Sequence, residues 1–258
     1  MTIEERQARL RWDGPDCLRV GGSRFLVALD GAPGTRATAE RLILMKNKVM
    51  VDTFVEQAPD VVENIFDLGI FKGGSIAFYH ELFVPKKLVG IELHPDRVKG
   101  LDQFLSAHSL GASVRLYYGT SQQDVRALSK ILLREFGDQP LDLVVDDCSH
   151  KYEPAKASLN LLLPRLRSGG VYLLEDWGWA HWPGDHWQGS DHQYANELKP
   201  MSNLILELVM VAESRPGLIS EVVIKNGAAY ITRGPETDIE DGFDVSNAYL
   251  SAGRTILS

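Results

Sequence analysis

Short apolar runs alternate with segments of helical spacing through most of this chain. Residues 61–67 are strand-like, residues 76–83 have the spacing of an amphipathic helix, and the same alternation then recurs. Strands that alternate with amphipathic helices are typical of right-handed βαβ units, so we predict an α/β fold with a Rossmann-like, doubly wound sheet. Ligands of such sheets bind at the carboxyl ends of the strands. The five strand-like runs are residues 61–67, 88–93, 114–119, 141–147 and 171–176.

The helix predicted after the fourth strand has Ala155, Leu159, Leu162 and Leu166 on one face, at spacings of four, three and four residues. Ser168-Gly169-Gly170 follows these residues, and glycine commonly ends a helix. The pattern therefore predicts a helix that continues to about residue 168.

Two β-rich runs near the end of the chain are joined by Asn226-Gly227. Asn-Gly between such runs is a strong hairpin signal, so the last two strands are predicted to pair antiparallel. A mixed sheet with a late hairpin does not suit the six-stranded, all-parallel dinucleotide fold. It suits the methyltransferase version of the Rossmann sheet.

Residues 1–55 precede the first predicted strand and contain a predicted helix around residues 39–55. We expect an N-terminal helical extension that acts as a cap or a dimerisation element, and a catalytic domain over residues 56–258. Assembly into a homo-oligomer is left open.

The formal net charge is -8, and the sequence has neither a basic run nor a long apolar stretch. A negative chain repels nucleic acid and anionic lipid, so we expect no nucleic-acid or membrane partner. The charged start of the chain does not resemble a signal peptide. Cys17 and Cys148 form no disulfide framework, and a cytoplasmic location is expected.

Three glycines mark the loop between the first predicted strand and its helix, residues 67–75. Glycine is needed where backbone must approach a ligand closely, but this spacing departs from G-x-G-x-x-G, which counts against a nicotinamide cofactor. Glu92 closes the second strand, where an acid can bind both ribose hydroxyls. The alternative is a tight turn and a surface glutamate. The predicted cofactor-binding residues are Asp67, Gly69, Lys72, Gly73, Ser75, Glu92, Gln122 and Asp146.

Asp147 closes the fourth predicted strand, and Glu175 and Asp176 close the fifth. These neighbouring strands bring three hard oxygen ligands together, which suits Mg2+, Mn2+ or Ca2+ better than zinc. The alternative is that the acids cap helices or accept backbone N–H bonds. Asp146 either faces the cofactor or supports the site, and we do not expect it to bind the metal.

His150 lies three residues after Asp147, in the loop that follows the fourth strand. A hydroxyl group bound beside the predicted metal would be a poor nucleophile until its proton is removed. We therefore predict that His150 is a general base for such a hydroxyl rather than a structural residue. His181, His186 and His192 match no metal-binding template.

Four tryptophans lie in the polar, glycine-rich segment after the fifth strand. This segment is predicted to form a wall or lid over the molecule on which the site acts. Packing of the loop onto the sheet is the alternative. These residues are Trp177, Trp179, Trp182 and Trp187.

Four motifs, DLGIFKGGS, GIELHP, VVDDCSH and LRSGGVYLLEDW, together resemble a class I S-adenosylmethionine-dependent methyltransferase. More narrowly, they are similar to the metal-dependent O-methyltransferases of macrolide sugars and their cephalosporin-hydroxylase-like relatives, over about residues 55–235. The resemblance implies that Mg2+ (or Mn2+) is held by the acids of the fourth and fifth strands and that His150 is the base. It also implies that Gly69, Gly73 and Glu92 hold S-adenosylmethionine. Cys148 departs from the glycine expected there.

The function expected from these residues is O-methylation of a hydroxyl on a small molecule, either a sugar or a glycosylated metabolite. Three alternatives remain: a catechol-like acceptor, a nicotinamide-dependent dehydrogenase, and a catalytically silent binding protein. An intact set of acids beside His150 argues against the silent alternative, since a binding module needs no base beside a metal.

Overall fold

The computed structural model of the chain describes residues 1–254. Its strands are β1 Leu10–Gly14, β2 Cys17–Val20, β3 Ser23–Val27, β4 Leu42–Leu44, β5 Asn64–Leu68, β6 Lys87–Glu92, β7 Val114–Tyr118, β8 Leu141–Asp146, β9 Leu166–Leu174, β10 Ile219–Lys225 and β11 Ala228–Arg233. Its α-helices are α1 Ile3–Ala8, α2 Lys48–Gln57, α3 Gly74–Phe83, α4 Lys99–Ala107, α5 Val125–Phe136, α6 Tyr152–Leu162, α7 Asp185–Gln188 and α8 Ser202–Ser214.

The main sheet has seven strands in the order β10-β11-β9-β8-β5-β6-β7. The five strands from β9 to β7 in this order are parallel, while β11 pairs antiparallel with β9 and with β10. Asn226 and Gly227 turn the hairpin with φ values of 50° and 81°, as two-residue hairpin turns require. The predicted mixed, doubly wound sheet with a C-terminal hairpin is confirmed.

The central strands β5 and β8 are buried on both faces, as expected for parallel strands with helices on each side of the sheet. In β5, Phe66 and Leu68 join the core formed with α5, α6 and α8. Ile65 precedes Phe66, lies on the opposite face of the sheet, and joins the core formed with α2, α3 and α4. Alternate residues of one strand therefore serve two cores, which explains its continuous apolar run.

The helix predicted after the fourth strand ends earlier than expected. α6 stops at Leu162, a 3-10 turn containing Pro164 follows, and Leu166 already belongs to β9. Proline has no N–H to continue helical hydrogen bonding. Gly169, with φ of 72°, lies instead where the register between β8 and β9 shifts.

The N-terminal extension contains a four-stranded sheet in the order β1-β2-β3-β4, so its predicted helical character is only partly right. Of the helix predicted over residues 39–55, only the part from Lys48 onward is helical, and Asn47 caps it by accepting from the Met50 N–H. The preceding residues of β4 are fully buried beside β3. Pairing with β3 therefore outweighs their local helical spacing. α2 continues past the predicted domain boundary at residue 55.

The extension packs against the main domain at the glycine-rich loop. Ile43 of β4 forms a parallel bridge with Gly73, and a methyl group on Gly74 would collide with the Ile43 carbonyl. Apolar residues of the small sheet share one core with α2 and α3. The dimerisation role of the extension stays a prediction.

Crossing a bilayer takes a helix of some 20 mainly apolar residues. Within residues 1–254 no helix combines the length and apolar character that this requires.

Replacing Gly74 by alanine should loosen the attachment of the extension, because the added methyl group meets backbone that cannot turn aside. We expect Gly74→Ala to lower the free energy of unfolding by about 1–3 kcal/mol, the usual cost of overpacking. Gly111→Ala is the matched control, since a Cβ there has no neighbour within 4 Å. Urea denaturation checks both variants, and equal stabilities would show that this contact does not hold the extension.

Candidate functional site

The parallel strands β5, β6, β8 and β9 end at one edge of the sheet, and most of the predicted site residues lie in or just after those ends. Leu68 pairs with Asp146, and Asp146 pairs with Leu174. The glycine loop, the loop after β8 and the acids after β9 are therefore neighbours.

Gly69 allows the glycine loop to touch the loop after β8. Its φ is 113°, and a Cβ there would overlap the Asp147 carbonyl and lie 3.4 Å from the Cα of Cys148. Gly73 begins α3 with a φ of 81°. Both glycines take backbone angles that other residues disfavour, and their predicted contact with the cofactor stays a prediction.

Asp67 is fully buried at the end of β5. Its Oδ2 accepts from the Ser75 hydroxyl at 3.2 Å, while its Oδ1 has no hydrogen-bond partner among residues 1–254. Burial, followed by repulsion from Asp147, raises the pKa of this carboxyl well above its usual range. A buried carboxyl oxygen without a partner is costly, so this atom calls for a donor or a cation.

Glu92 is held by the backbone around it. Its two carboxylate oxygens accept from the N–H groups of Phe71, at 2.8 Å, and His94, at 2.9 Å. Lys72 lies in the same loop, but its ammonium turns to the Gly31 carbonyl of the N-terminal extension. The acid is thus fixed at the mouth of the loop with oxygen lone pairs to spare.

Gln122 and Asp146 bind one another inside the protein. The Gln122 Nε2 donates to both carboxylate oxygens of Asp146 at 2.6 Å, and the hydroxyls of Ser158 and Tyr172 also donate to Asp146. Burial raises the pKa of Asp146 to about 7, and these hydrogen bonds oppose the rise. The Gln122 Oε1 accepts from the Ser149 N–H at 3.3 Å, so this network braces the loop after β8.

Asp147, His150 and Asp176 meet at the centre of the edge. One ligand atom from each lies within 4.8 Å of the others, and no further group of this kind occurs in residues 1–254. His150 and Asp176 have φ values of 54° and 51°, an unusual conformation for residues other than glycine. Backbone strain of this kind often occurs at functional sites.

The imidazole of His150 is held at both nitrogens. Its Nε2 lies 3.1 Å from the Asp147 Oδ1, and its Nδ1 lies 3.1 Å from the Tyr194 hydroxyl. Burial lowers the pKa of His150, but the hydrogen bond and charge of Asp147, with Asp176 nearby, outweigh burial and raise it above the usual value. Burial and the charge of Asp147 also raise the pKa of Asp176.

Glu175 is paired with Lys46, a residue that the sequence did not reveal. The Lys46 ammonium lies 2.6 and 2.5 Å from the two Glu175 oxygens and 3.7 Å from the Asp147 Oδ2, and its side chain is 3% exposed. Burial lowers the pKa of Lys46, yet Glu175 and Asp147 outweigh burial and keep it protonated. The only signal in the sequence is a lysine directly after the apolar run 42–45.

The tryptophan-rich segment divides into two parts. Trp179 is buried, donates its indole N–H to the His150 carbonyl at 2.8 Å, and packs 4.7 Å from the Tyr194 ring. Trp182 and Trp187 are half-buried and meet edge to face at 4.5 Å. Packing therefore explains Trp179, and Trp187 also packs against the rings of His186 and His192, so the predicted wall over the site rests on the partly exposed faces of Trp182 and Trp187.

Part of the chain is similar in sequence to known proteins. A family model described as a methyltransferase domain matches residues 66–177. Demethylmacrocin O-methyltransferase of Streptomyces fradiae is 32% identical over 112 residues, which cover 43% of this chain and 25% of that protein. Mycinamicin VI 2''-O-methyltransferase of Micromonospora griseorubida is 36% identical over 112 residues, with the same coverage. The match thus spans about a quarter of the length of these relatives.

The fold also resembles a solved methyltransferase. MycE from the mycinamycin biosynthetic pathway, in complex with Mg and SAH, superimposes with a TM-score of 0.53 at 20% identity, covering 74% of this chain and 49% of that one. Its complex with Mg, SAH and mycinamycin VI gives a TM-score of 0.50 at 22% identity, covering 72% and 47%. Residues 66–177 therefore match a methyltransferase domain in sequence, the sheet has the class I methyltransferase topology, and the chain shares distant homology with the macrolide sugar O-methyltransferases.

Proposed function

We propose that the chain is a metal-dependent O-methyltransferase that moves a methyl group from S-adenosylmethionine to a hydroxyl of a sugar or other small natural product. The observation that carries the proposal is the meeting of Asp147, His150 and Asp176 beside the glycine loop. The family match and the mixed sheet count against a nicotinamide-dependent dehydrogenase.

The glycine loop fits S-adenosylmethionine. The unpartnered Oδ1 of Asp67 would accept from the ammonium of its methionine part, and the fixed carboxylate of Glu92 would accept from the ribose hydroxyls. Gly69 and Gly73 keep the backbone close to the cofactor. Cofactor binding stays a prediction for Lys72, Ser75, Gln122 and Asp146. The last two bind one another in the hydrogen-bond network that braces the loop after β8.

The acids after β8 and β9 fit a divalent cation. Asp147 and Asp176 offer oxygen ligands of the kind that Mg2+ and Mn2+ prefer, while both oxygens of Glu175 bind Lys46, so the assignment of Glu175 to the metal stays a prediction. The buried ammonium of Lys46 already lies between two of them, which marks the place as one that attracts positive charge. A bound cation there would supply positive charge that makes a nearby alcohol more acidic.

His150 is the proposed base. S-adenosylmethionine presents its methyl group on a positively charged sulfur, whereas the alcohol becomes a good nucleophile only as it loses its proton. As the C–O bond forms and the C–S bond breaks, the hydroxyl proton passes to the imidazole of His150. Asp147 lies 3.1 Å from that ring and stabilises the imidazolium that results.

The relatives and the tryptophan-rich segment support the proposed class of acceptor. The two relatives described above are named for the O-methylation of demethylmacrocin and of mycinamicin VI. Half-exposed Trp182 and Trp187 offer flat apolar faces that suit the C–H surface of a sugar. A glycosylated metabolite is therefore the proposed acceptor.

Turnover should require a divalent cation. Purified protein with labelled S-adenosylmethionine and a library of sugars, glycosides and phenols should show methyl transfer that EDTA abolishes and Mg2+ or Mn2+ restores, because the acids otherwise repel one another. Full turnover after exhaustive chelation would contradict the metal assignment. Labelling of phenols alone would move the acceptor to the catechol-like class.

His150→Ala should lower kcat by about 10^2 to 10^4, the usual contribution of a general base, while cofactor and metal still bind. In the wild type, kcat should fall as the pH drops through the pKa of His150, since only the neutral imidazole accepts a proton. The remaining activity of the variant should lack this fall. Rates compared from pH 5 to 9 check both statements, and an unchanged acidic limb would assign the base elsewhere.

Lys46→Met should destabilise the metal-free protein by about 3–5 kcal/mol, because it leaves the buried Glu175 carboxylate without its partner. Mn2+ should restore part of this loss and stabilise the variant more than the wild type, since the cation no longer competes with an ammonium. Lys48→Met, which removes an exposed lysine paired with Asp52, should change stability little. Thermal unfolding of the wild type and of both variants, with and without Mn2+, tests this prediction. Equal stabilisation of all three proteins by Mn2+ would contradict competition between Lys46 and the cation.

A further inference from the structure

A cavity of about 290 Å3 lies between the N-terminal extension and the main domain. Its walls are residues 36–37 of the extension, residues 71–72 of the glycine loop and residues 98–100 at the start of α4. The extension packs tightly here, because a Cβ on Gly100 would lie 2.5 Å from the Ala37 carbonyl oxygen. The volume is close to the lower end of the range for small-molecule sites. The acids after β8 and β9 do not line this cavity, so it is separate from the proposed reaction centre.

Three cationic side chains line the cavity, and no acidic side chain of the described chain does. They are Arg36, Lys72 and Lys99. The ion pairs formed within residues 1–254 include none of the three. Lys72 donates to the Gly31 carbonyl, which leaves its charge uncompensated. In a chain of net charge -8, these three cations make a local region of positive potential.

The start of α4 adds to this positive potential. Val98 is the N-cap of α4 and has no side-chain group that could accept from the N–H groups of the first turn. Such N–H groups carry partial positive charge and bind anions. Asp102 lies in the same turn, but its two oxygens already accept from Arg97 at 2.9 and 2.6 Å. The acid therefore does not cancel the cations of the cavity.

Phe71 gives the cavity an apolar wall. Its side chain is 60% exposed, and its φ of 43° is unusual for a residue other than glycine. The Lys72 ammonium lies 5.7 Å from the centre of its ring. A flat apolar surface beside several cations suits a ligand that has an organic part and an anionic part.

We propose that this cavity binds the phosphate group of a small anionic ligand, with Arg36 and Lys99 as its main charged contacts. The planar guanidinium of arginine matches the oxygens of a phosphate, and lysine binds phosphate as a point charge. The phosphate is either free or carried by an organic molecule whose remaining part lies on Phe71. This site goes beyond the proposed methyl transfer and does not depend on it.

Calorimetry with inorganic phosphate and with uridine diphosphate tests the inference on the whole chain. We expect at least one of these probes to bind, and Arg36→Met and Lys99→Met each to weaken its binding about 5- to 10-fold, because each variant removes one charged contact. Raising NaCl from about 0.05 to 0.5 M should also weaken binding, since salt screens exposed charges. Equal affinity for the two probes would assign the site to free phosphate, and tighter binding of uridine diphosphate would assign it to a phosphate on an organic molecule.

Lys130→Met is the matched control, because it removes an exposed lysine of α5 that lies outside the cavity. It should keep the wild-type affinity for both probes. The inference is overturned if neither probe binds, if Arg36→Met or Lys99→Met keeps the wild-type affinity, or if Lys130→Met weakens binding as much as they do. Displacement of the bound probe by S-adenosylhomocysteine would also overturn it, since the cavity would then belong to the cofactor. The measurement needs no turnover, so a chain that methylates no acceptor would remove the proposed function and leave this site to be decided by binding alone.

Discussion

Three neighbouring parallel strands bring carboxylates to one buried edge, and the rest of the site follows from the need to compensate them. A buried carboxylate is costly unless it is paired or hydrogen-bonded. Asp146 is satisfied by the amide of Gln122 and two hydroxyls, and Glu175 by the ammonium of Lys46. Asp147 is paired with His150, while Asp67 keeps one oxygen without a partner. The incomplete compensation lies on the side where ligands of such sheets bind.

Lys46 gives the N-terminal extension a direct part in this balance. β4 pairs with β3 and forms a bridge with Gly73 of the glycine loop. Lys46 follows β4 by two residues, so these contacts position its ammonium beside the acids. The extension therefore contacts both the glycine loop and the carboxylates after β8 and β9, and it shares a core with the main domain. A cap that merely covered the domain would need neither contact. In this fold the charge of the site depends on residues that lie outside the match to the family model.

The sequence predicted what depends on local pattern and missed what depends on contacts between distant segments. Alternating apolar runs and the Asn226-Gly227 turn were sufficient for the sheet, because strand ends and hairpins are set by neighbouring residues. The stretch 42–44 was assigned to a helix because nothing local shows that it pairs with β3. Lys46 and Tyr194 lie 129 and 44 residues from the groups they bind, and no spacing rule connects them.

The carboxylates after β8 and β9 affect both the protonation of the proposed base, His150, and the binding of the proposed cation. Asp147 and Asp176 bring acidic oxygens to His150, and the ammonium of Lys46 lies against Glu175 and Asp147. The hydrogen bond and charge of Asp147, with Asp176 nearby, outweigh burial and favour a proton on His150, so its pKa lies above the usual value. A protonated imidazole is not a base. A divalent cation held by these acids would offset their negative charge, which would lower the pKa of His150 and favour the neutral imidazole that a base requires.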